Sequence, residues 1–368
     1  MSETYPLFDK YPELKERVKR ISFGKFPTPV ERLEKLESRI NVGSLWVKRD
    51  DLDSDKFSGN KIRVMELLLA DALNRGCDTL VSMGALGSNQ VLSSIVFGAG
   101  MGFDIDGIYF EQPLHGYVKR HLLVGARHRV HMTLCKNPNY SPLYAGYRYL
   151  RQRLAGRWPY FIPTFGSHPL CVLGYVNAGM ELARQVDEGM CPMPDKVYVT
   201  LGTGGTYAGI VLAFKLLGLP VEVVGVRITD LLVCNRLVVA NLLNRTLSYM
   251  RKRNAKVPKI KFRPGDLVFE HDFFGGEYAR STPESEEAAR EADEAADLVL
   301  DSTYTAKTMA ALFKHAAESK LEGKNTLFWH TLNRIDLRPI ICDLNDDCLP
   351  EDMREYARNC VDNDKIGF

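Results

Sequence analysis

Ser58-Gly59-Asn60-Lys61 leads directly into a helical pattern, a few residues after the charged run Lys48-Arg49-Asp50-Asp51. Apolar side chains recur at positions 62, 65, 68, 69 and 72, which predicts a helix that begins at Lys61. The helix dipole and the neighbouring Arg63 are expected to lower the pKa of the Lys61 amine toward nucleophilic use. The competing interpretation is a solvated surface lysine, and two further segments bear on the choice.

The second segment is Gly84-Ala85-Leu86-Gly87-Ser88-Asn89-Gln90, which follows an apolar strand pattern and precedes a helical one. Its small residues let the backbone come close to a ligand. Ser88, Asn89 and Gln90 place a hydroxyl and two amides at a predicted helix N-terminus, where unpaired N–H groups also point outward. This arrangement suits a carboxylate, although ordinary capping of the helix by Ser88 or Asn89 explains the same residues equally well.

The third segment is Gly202-Thr203-Gly204-Gly205-Thr206, between a predicted strand and a predicted helix. Glycines permit the tight turn, and the helix N-terminus with two threonine hydroxyls can hold a phosphate. The alternative is a dinucleotide fingerprint, but Tyr207 occupies its third glycine position, and Glu222 opens the following strand, where it is poorly placed for a ribose. The segment therefore favours a single phosphate group.

Eight short apolar runs alternate with helical patterns along most of the chain, and this alternation predicts parallel sheets covered by helices. The predicted strands span residues 45–48, 79–81, 105–110, 130–134, 160–162, 197–200, 221–226 and 326–329. Ligands of open parallel sheets bind beyond the carboxyl ends of the strands. Both glycine-rich segments lie at such ends, so we expect them to face one site.

In this order, the motifs resemble those of the fold-type II pyridoxal-phosphate enzymes, in the branch of 1-aminocyclopropane-1-carboxylate deaminase and D-cysteine desulfhydrase. The resemblance runs from about residue 25 to about residue 335. Besides the segments above, it rests on Gly166-Ser167, Gly174-Tyr175, Gly225-Val226-Arg227, Tyr278, Asp301, Tyr304-Thr305 and His330-Thr331. It implies an α/β fold of two open parallel-sheet domains, like the tryptophan synthase β subunit, with the cofactor in the cleft between them. The large domain would comprise residues 1–61 and 166–368, and the small domain residues 62–165.

The same resemblance implies a role for each matching residue. Lys61 would bond covalently to pyridoxal 5'-phosphate and later move the α-proton of the substrate. Asn89 would contact the ring hydroxyl of the cofactor, and Ser88, Asn89 and Gln90 would hold the substrate, with Ser88 in the catalytic set. The remaining implied positions are the phosphate-binding Gly202, Thr203, Gly204, Gly205 and Thr206, the two tyrosines over the substrate, Tyr278 and Tyr304, and Thr305 and Thr331 near the pyridine nitrogen.

The substrate inference depends on the two threonines. The deaminases carry a glutamate at the position of Thr305 and a leucine at that of Thr331, whereas the desulfhydrases carry threonine at both. A carboxylate would stabilise a protonated pyridine ring, and a neutral hydroxyl gives a weaker electron sink that suffices for a good leaving group on Cβ. We therefore predict α,β-elimination on a small amino acid, with D-cysteine as the leading substrate. Gln90 points the other way, toward the deaminases.

Three alternatives stay open. The first is cyclopropane ring opening by the same cofactor. The second is a non-catalytic binding protein on this fold, because Val64 replaces a second lysine of the family and Leu332-Asn333 replace a Gly-Gly pair. Because Val64 carries no charge, either Arg63 or the backbone amides of the glycine-rich loop would have to neutralise the phosphate in place of the missing lysine. The third is a nicotinamide oxidoreductase.

Composition excludes several other classes. The 368 residues are 45% hydrophobic with a formal net charge of +2, so nothing favours nucleic acid or a membrane as a partner. Eight cysteines without C-x-x-C spacing predict reduced thiols in the cytoplasm, no zinc site and no other metal site. The resemblance adds the expectation of a homodimer.

Overall fold

The computed structural model describes residues 5–163 and 168–360. Its strands form two separate sheets, and helices pack against both. The motif Gly166-Ser167 and the predicted domain boundary between residues 165 and 166 lie outside the described residues. The domain limits therefore stay predictions.

The larger sheet has six strands in the order β1-β2-β10-β7-β8-β9. These strands are β1 Val30–Arg32, β2 Ser44–Arg49, β7 Lys196–Leu201, β8 Glu222–Arg227, β9 Val268–Glu270 and β10 Asn325–His330. All neighbours pair in parallel except β1, which runs antiparallel to β2 at one edge. The expectation of parallel sheets is correct for the interior of this sheet and wrong for that edge strand.

The smaller sheet has four strands in the order β5-β4-β3-β6, all parallel. These strands are β3 Thr79–Ala85, β4 Asp104–Phe110, β5 His131–Cys135 and β6 Pro159–Phe161. Every residue of β3 is buried, as expected of a central strand covered on both faces. Each of the eight predicted strands is present, so the fold class is confirmed.

Fourteen α-helices surround the sheets within the described residues. In chain order, they are α1 Pro6–Lys10, α2 Pro12–Arg17, α3 Glu34–Glu37, α4 Lys61–Asn74, α5 Asn89–Gly100, α6 Gly116–Arg127, α7 Ser141–Leu154, α8 Pro169–Asp187, α9 Gly205–Leu217, α10 Arg236–Arg251, α11 Pro283–Ala296, α12 Thr305–Ala317, α13 Arg338–Ile341 and α14 Glu351–Arg358. No helix among these is long and apolar enough to cross a membrane.

The charged run at the end of β2 is buried and joins β2 to α4 and α8. Lys48 Nζ donates to Glu181 Oε1 at 2.7 Å, and Arg63 donates to both Glu181 and Asp50 at 2.8–2.9 Å. Burial alone would raise the pKa of Glu181, but Arg63 and Lys48 outweigh it and hold that pKa well below its usual range. Since Arg63 is the third residue of α4 and Glu181 lies in α8, this network fixes the first turn of α4 against α8.

The C-terminal segment crosses to the smaller sheet. Helices α13 and α14 pack on α6, and Met353 and Ala357 of α14 are buried in the main core. Lys119 of α6 pairs with Asp346 at 2.9 Å. The segment from residue 332 to residue 360 therefore covers a helix of the smaller sheet after leaving β10 of the larger one.

Candidate active site

One cavity of about 680 Å³ receives the carboxyl ends of strands from both sheets. Ala85 of β3 and Phe110 of β4 reach it from the smaller sheet, while Thr200 of β7, Ile228 after β8 and Thr331 after β10 reach it from the larger one. This is the edge at which ligands of parallel sheets bind. The cavity is within the usual size range of a cofactor site.

Lys61 lines this cavity and is the first residue of α4. The turn before it is fixed by Gly59, which has φ of +84° and lies so close to the backbone of Thr331 that a Cβ would be 2.4 Å from that carbonyl oxygen. Burial lowers the pKa of Lys61 to about 8, so a substantial share of the amine is neutral near physiological pH. The predicted contribution of Arg63 is wrong, since its guanidinium is bound to Asp50 and Glu181.

The residues from Gly84 to Gln90 form the small-sheet side of the cavity. Ser88 is the N-cap of α5, with its Oγ accepting from the N–H of Val91 at 3.4 Å, and it lines the cavity together with Asn89 and Gln90. Capping and ligand contact are therefore compatible for this serine. Gln90 is 7% exposed, and neither its amide oxygen nor its amide nitrogen has a hydrogen-bond partner. A ligand in the cavity can supply the hydrogen-bond partners that this buried amide lacks.

The phosphate-loop residues 202–206 form the opposite wall, and all five line the cavity. Gly204 is the N-cap of α9 with φ of +94°, a left-handed conformation in which a side chain would be strained. No side chain caps this helix, so its first N–H groups are available to an anion. Asn60 Nδ2 donates to Thr206 Oγ1 at 3.2 Å and ties this loop to the turn that carries Lys61.

The two predicted tyrosines meet above the cavity. The Tyr278 and Tyr304 hydroxyls form a short hydrogen bond with each other, and both residues line the cavity. Burial raises the pKa of each phenol, so both hydroxyls hold their protons at neutral pH and can donate them.

Of the two threonines predicted near the pyridine nitrogen, the structure brings only Thr331 to the cavity wall. Thr305 is fully buried at the start of α12, where its hydroxyl donates to Asp301 Oδ2 at 2.7 Å. The carboxylate of Asp301 lines the cavity in front of it and also accepts from the N–H of Tyr304 at 2.6 Å. Asp301 thus holds the first turn of α12 in place.

Several contributors were not predicted from the sequence. Gln112 accepts from the Gly87 N–H at 3.0 Å and donates to the Tyr117 hydroxyl at 2.9 Å, which fixes the loop before Ser88. Asn333 Oδ1 accepts from the Ser58 N–H at 2.9 Å and supports the turn before Lys61. The signal for Gln112 was its place just beyond the predicted strand 105–110. Asn333 had no local signal, because its partner lies far away in sequence.

The departures from the family pattern have structural explanations. Val64 lines the cavity and brings no charge to it, and Arg63 does not replace the missing lysine. Leu332 also lines the cavity, while Asn333 serves the Ser58 turn. The anion-binding role then falls on backbone N–H groups and hydroxyls.

The residues present fit pyridoxal phosphate. A lysine amine of lowered pKa, an uncapped glycine-rich helix N-terminus and an unpaired buried amide share one cavity. These are an aldehyde-binding group, a phosphate cradle and a polar contact, which together suit an aldehyde that carries a phosphate. No group of three metal-ligating side chains occurs in the ranges 5–163 and 168–360.

Comparison with known proteins agrees with this chemistry. The chain belongs to the family of pyridoxal-phosphate dependent enzymes, whose model matches residues 21–331. A Pyrococcus abyssi protein provisionally named 1-aminocyclopropane-1-carboxylate deaminase is 30% identical over 328 residues, covering 88% of this chain and 94% of the relative. D-cysteine desulfhydrase of Klebsiella pneumoniae is 28% identical over 321 residues, covering 86% and 94%.

A solved structure described as an ACC deaminase homologue superposes with a TM-score of 0.77 at 26% identity, and the match covers 89% of this chain and 95% of that one. The predicted relationship to the deaminase and desulfhydrase branch is therefore confirmed, together with the cofactor class. The oxidoreductase alternative is wrong.

Proposed function

We propose that this protein is a lyase that eliminates a leaving group from Cβ of a small amino acid, as D-cysteine desulfhydrase does by its name. The observation that carries the proposal is the arrangement of Lys61 with two hydrogen-bonded tyrosine hydroxyls in one cavity. A base for the α-proton and an acid for the leaving group are both needed for β-elimination, and this cavity holds both.

Each residue has a distinct part. Bound pyridoxal phosphate supplies the electron sink that makes the α-proton removable. Lys61 takes that proton at its Nζ, since its lowered pKa lets the amine act as a base near neutral pH. Ser88, Asn89 and Gln90 hold the substrate carboxylate by neutral contacts at the N-terminus of α5. Tyr278 or Tyr304 donates a proton to the departing group.

Ring-opening deamination of 1-aminocyclopropane-1-carboxylate is the second candidate. Gln90 favours it, and so do the names of the Pyrococcus abyssi relative and the matched solved structure. Against it stand Thr305 and Thr331, since the deaminases carry a glutamate and a leucine at these positions and the desulfhydrases carry threonine at both. The products separate the two activities, because elimination from cysteine gives pyruvate and ring opening gives 2-oxobutyrate.

The test begins with absorption spectra of the purified protein with added pyridoxal phosphate, for the natural chain and for Lys61→Ala. We expect a visible band of bound cofactor in the natural chain and its loss in the variant. Pyruvate and 2-oxobutyrate are then measured with D-cysteine, L-cysteine, β-chloroalanine and 1-aminocyclopropane-1-carboxylate. A bound cofactor with no product from any of these would favour a non-catalytic binding protein.

We further propose that the enzyme acts in the cytoplasm as a homodimer on small amino acids, with no nucleic acid or membrane partner. All eight cysteines are unpaired, which supports a reducing compartment. Sedimentation of the cofactor-loaded protein tests the dimer, and a monomer across the micromolar range would contradict it.

A further inference from the structure

The ionisable groups of the cavity wall are strongly unbalanced. Lys61 is its only lysine, and neither arginine nor histidine occurs among the described residues that line it. The acids of the wall are Glu111, Asp230, Glu277 and Asp301. The phosphate of the cofactor adds further negative charge, and Val64 stands where the family carries another lysine. The field inside the cavity is therefore negative.

Two of these acids adjoin residues that the proposed function places near the substrate. Glu277 directly precedes Tyr278, and Glu111 directly precedes Gln112, which holds the loop before Ser88. Asp230 instead follows β8, near the phosphate loop. Glu277 forms no ion pair with any cation in the described part of the chain, while Glu111 accepts a short hydrogen bond from the Tyr356 hydroxyl. Both carboxylates are exposed at the cavity rim.

A second feature indicates that the cavity takes a polar ligand. Gln90 is only 7% exposed, and both polar atoms of its amide lack hydrogen-bond partners. A buried amide in this state is normally satisfied by whatever fills the site. Its neighbours at the N-terminus of α5 are also neutral, so the α-carboxylate can be held here without an arginine.

We propose that the substrate is an amino acid whose Cβ leaving group carries a positive charge at its far end, held between Glu111 and Glu277. This deepens the proposed function and rests on it. An acid pair at the rim attracts a cationic side chain and disfavours an anionic one, and this discrimination falls as salt screens the charges.

The reaction balances for a cysteine thioether with a 2-aminoethyl group on sulfur. The Cα–H bond breaks and its proton goes to Lys61, while the electron pair forms the Cα–Cβ double bond. The Cβ–S bond breaks, and the thiolate takes a proton from Tyr278 or Tyr304, whose phenolate is reprotonated as Lys61 gives up the proton that it took. The remaining enamine reacts with one water to give pyruvate and ammonia, and 2-aminoethanethiol is the third product. No oxidant or reductant is consumed.

The experiment compares three thioethers of cysteine that differ mainly in charge, each as the D and the L form. They are S-(2-aminoethyl)cysteine, S-(2-hydroxyethyl)cysteine and S-carboxymethylcysteine, with pyruvate and free thiol as the readouts. We expect kcat/KM for the cationic thioether to exceed that for the neutral one by at least about tenfold at low salt, which corresponds to roughly 1.4 kcal/mol. The anionic one should be the poorest.

Variants identify the acids responsible. Glu277→Gln and Glu111→Gln should each remove most of the preference for the cation and leave kcat/KM for the neutral thioether within about twofold. Tyr356→Phe is the matched control, because it breaks the contact to Glu111 without changing the charge, and it should keep the preference. Glu13→Gln, on exposed α2, controls for net charge.

Failure of this inference differs from failure of the proposed function. Turnover of β-chloroalanine with equal kcat/KM for all three thioethers would overturn the cationic substrate and leave the lyase intact. Loss of preference in Tyr356→Phe or Glu13→Gln as large as in the two glutamate variants would also overturn it. No pyruvate from β-chloroalanine or from any thioether would sink the lyase itself.

Discussion

At the scale of single residues, the lysine identified from the sequence has the environment that its chemistry needs, but for a different reason. The sequence pointed to the helix dipole and a neighbouring arginine. In the structure, burial lowers the pKa of Lys61 to about 8, and Arg63 is engaged elsewhere. Only the folded chain shows this, because burial depends on contacts between distant segments.

This pKa predicts how the cofactor attaches. The neutral amine is the nucleophile, so the rate at which pyridoxal phosphate bonds to the cofactor-free protein should rise with pH through a midpoint near pH 8 and level off about one pH unit above it. Stopped-flow absorption between pH 6.5 and 9.5 measures it, at pH values where the protein stays folded. A rate that is still rising without levelling off at pH 9.5, as for an amine with the ordinary lysine pKa of 10.5, would contradict the buried amine.

The Lys48-Glu181-Arg63 network gives a second residue-scale prediction. Glu181→Gln leaves two buried cations with too little opposite charge, so the free energy of unfolding should fall by about 3–5 kcal/mol. Urea unfolding of the cofactor-free protein measures the change. Glu294→Gln, which breaks an exposed pair with Arg290, should change it by less than about 0.5 kcal/mol. Equal effects would mean that the buried network is not structural.

At the scale of elements, close helix packing places Lys61 and the phosphate loop. Helix α8 contacts α4 at Gly174 and α9 at Gly209, where an added Cβ would be 2.3 Å from Arg63 O and 2.3 Å from Tyr175 Cβ. At Gly174 the backbones of the two helices meet directly, and at Gly209 the backbone of α9 meets the Cβ of Tyr175 in α8. No local pattern indicates these helix pairings, although Gly174 belongs to a motif quoted from the sequence.

Gly209→Ala tests this packing. The methyl group would force α8 and α9 apart, and we expect a loss of about 1–3 kcal/mol in the free energy of unfolding and weaker cofactor binding. Gly146→Ala is the matched control in exposed α7, where nothing lies within 4 Å of the added Cβ. It should stabilise the protein by about 0.5–1 kcal/mol. Equal stability of the two variants would contradict the close approach.

The strands show what the sequence could and could not predict. Eight of the ten described strands were predicted, because each combines several apolar residues in a short stretch, as buried parallel strands do. The two that were missed, β1 and β9, are three residues long and carry exposed or charged side chains. These two strands form because they pair with the longer strands β2 and β8, and a local sequence pattern does not predict such pairing.

At the scale of the whole molecule, the C-terminal segment lies beyond the family match, which ends at residue 331, yet it is part of the fold. The structure packs it on α6, next to the smaller sheet, and Tyr356 reaches Glu111 at the cavity rim. Its contacts are long-range, so no local pattern reveals them.

Met353→Ala tests this docking. Met353 is fully buried, so its truncation should destabilise the region of α14 by about 2–5 kcal/mol and speed amide hydrogen exchange in α14 and α6 together. Glu355→Ala, on the exposed face of α14, should leave exchange unchanged. Faster exchange confined to α14 would show that the segment does not support α6.

Lys61 is the residue expected to bond to pyridoxal phosphate, and borohydride reduction of the loaded protein followed by peptide mass spectrometry tests this directly. Three buried lysines have a lowered pKa, namely Lys48, Lys61 and Lys307, and only Lys61 lines the cavity. We predict a single pyridoxyl group, on Lys61. A pyridoxyl group on Lys48 or Lys307, or none at all, would contradict the site described for this protein.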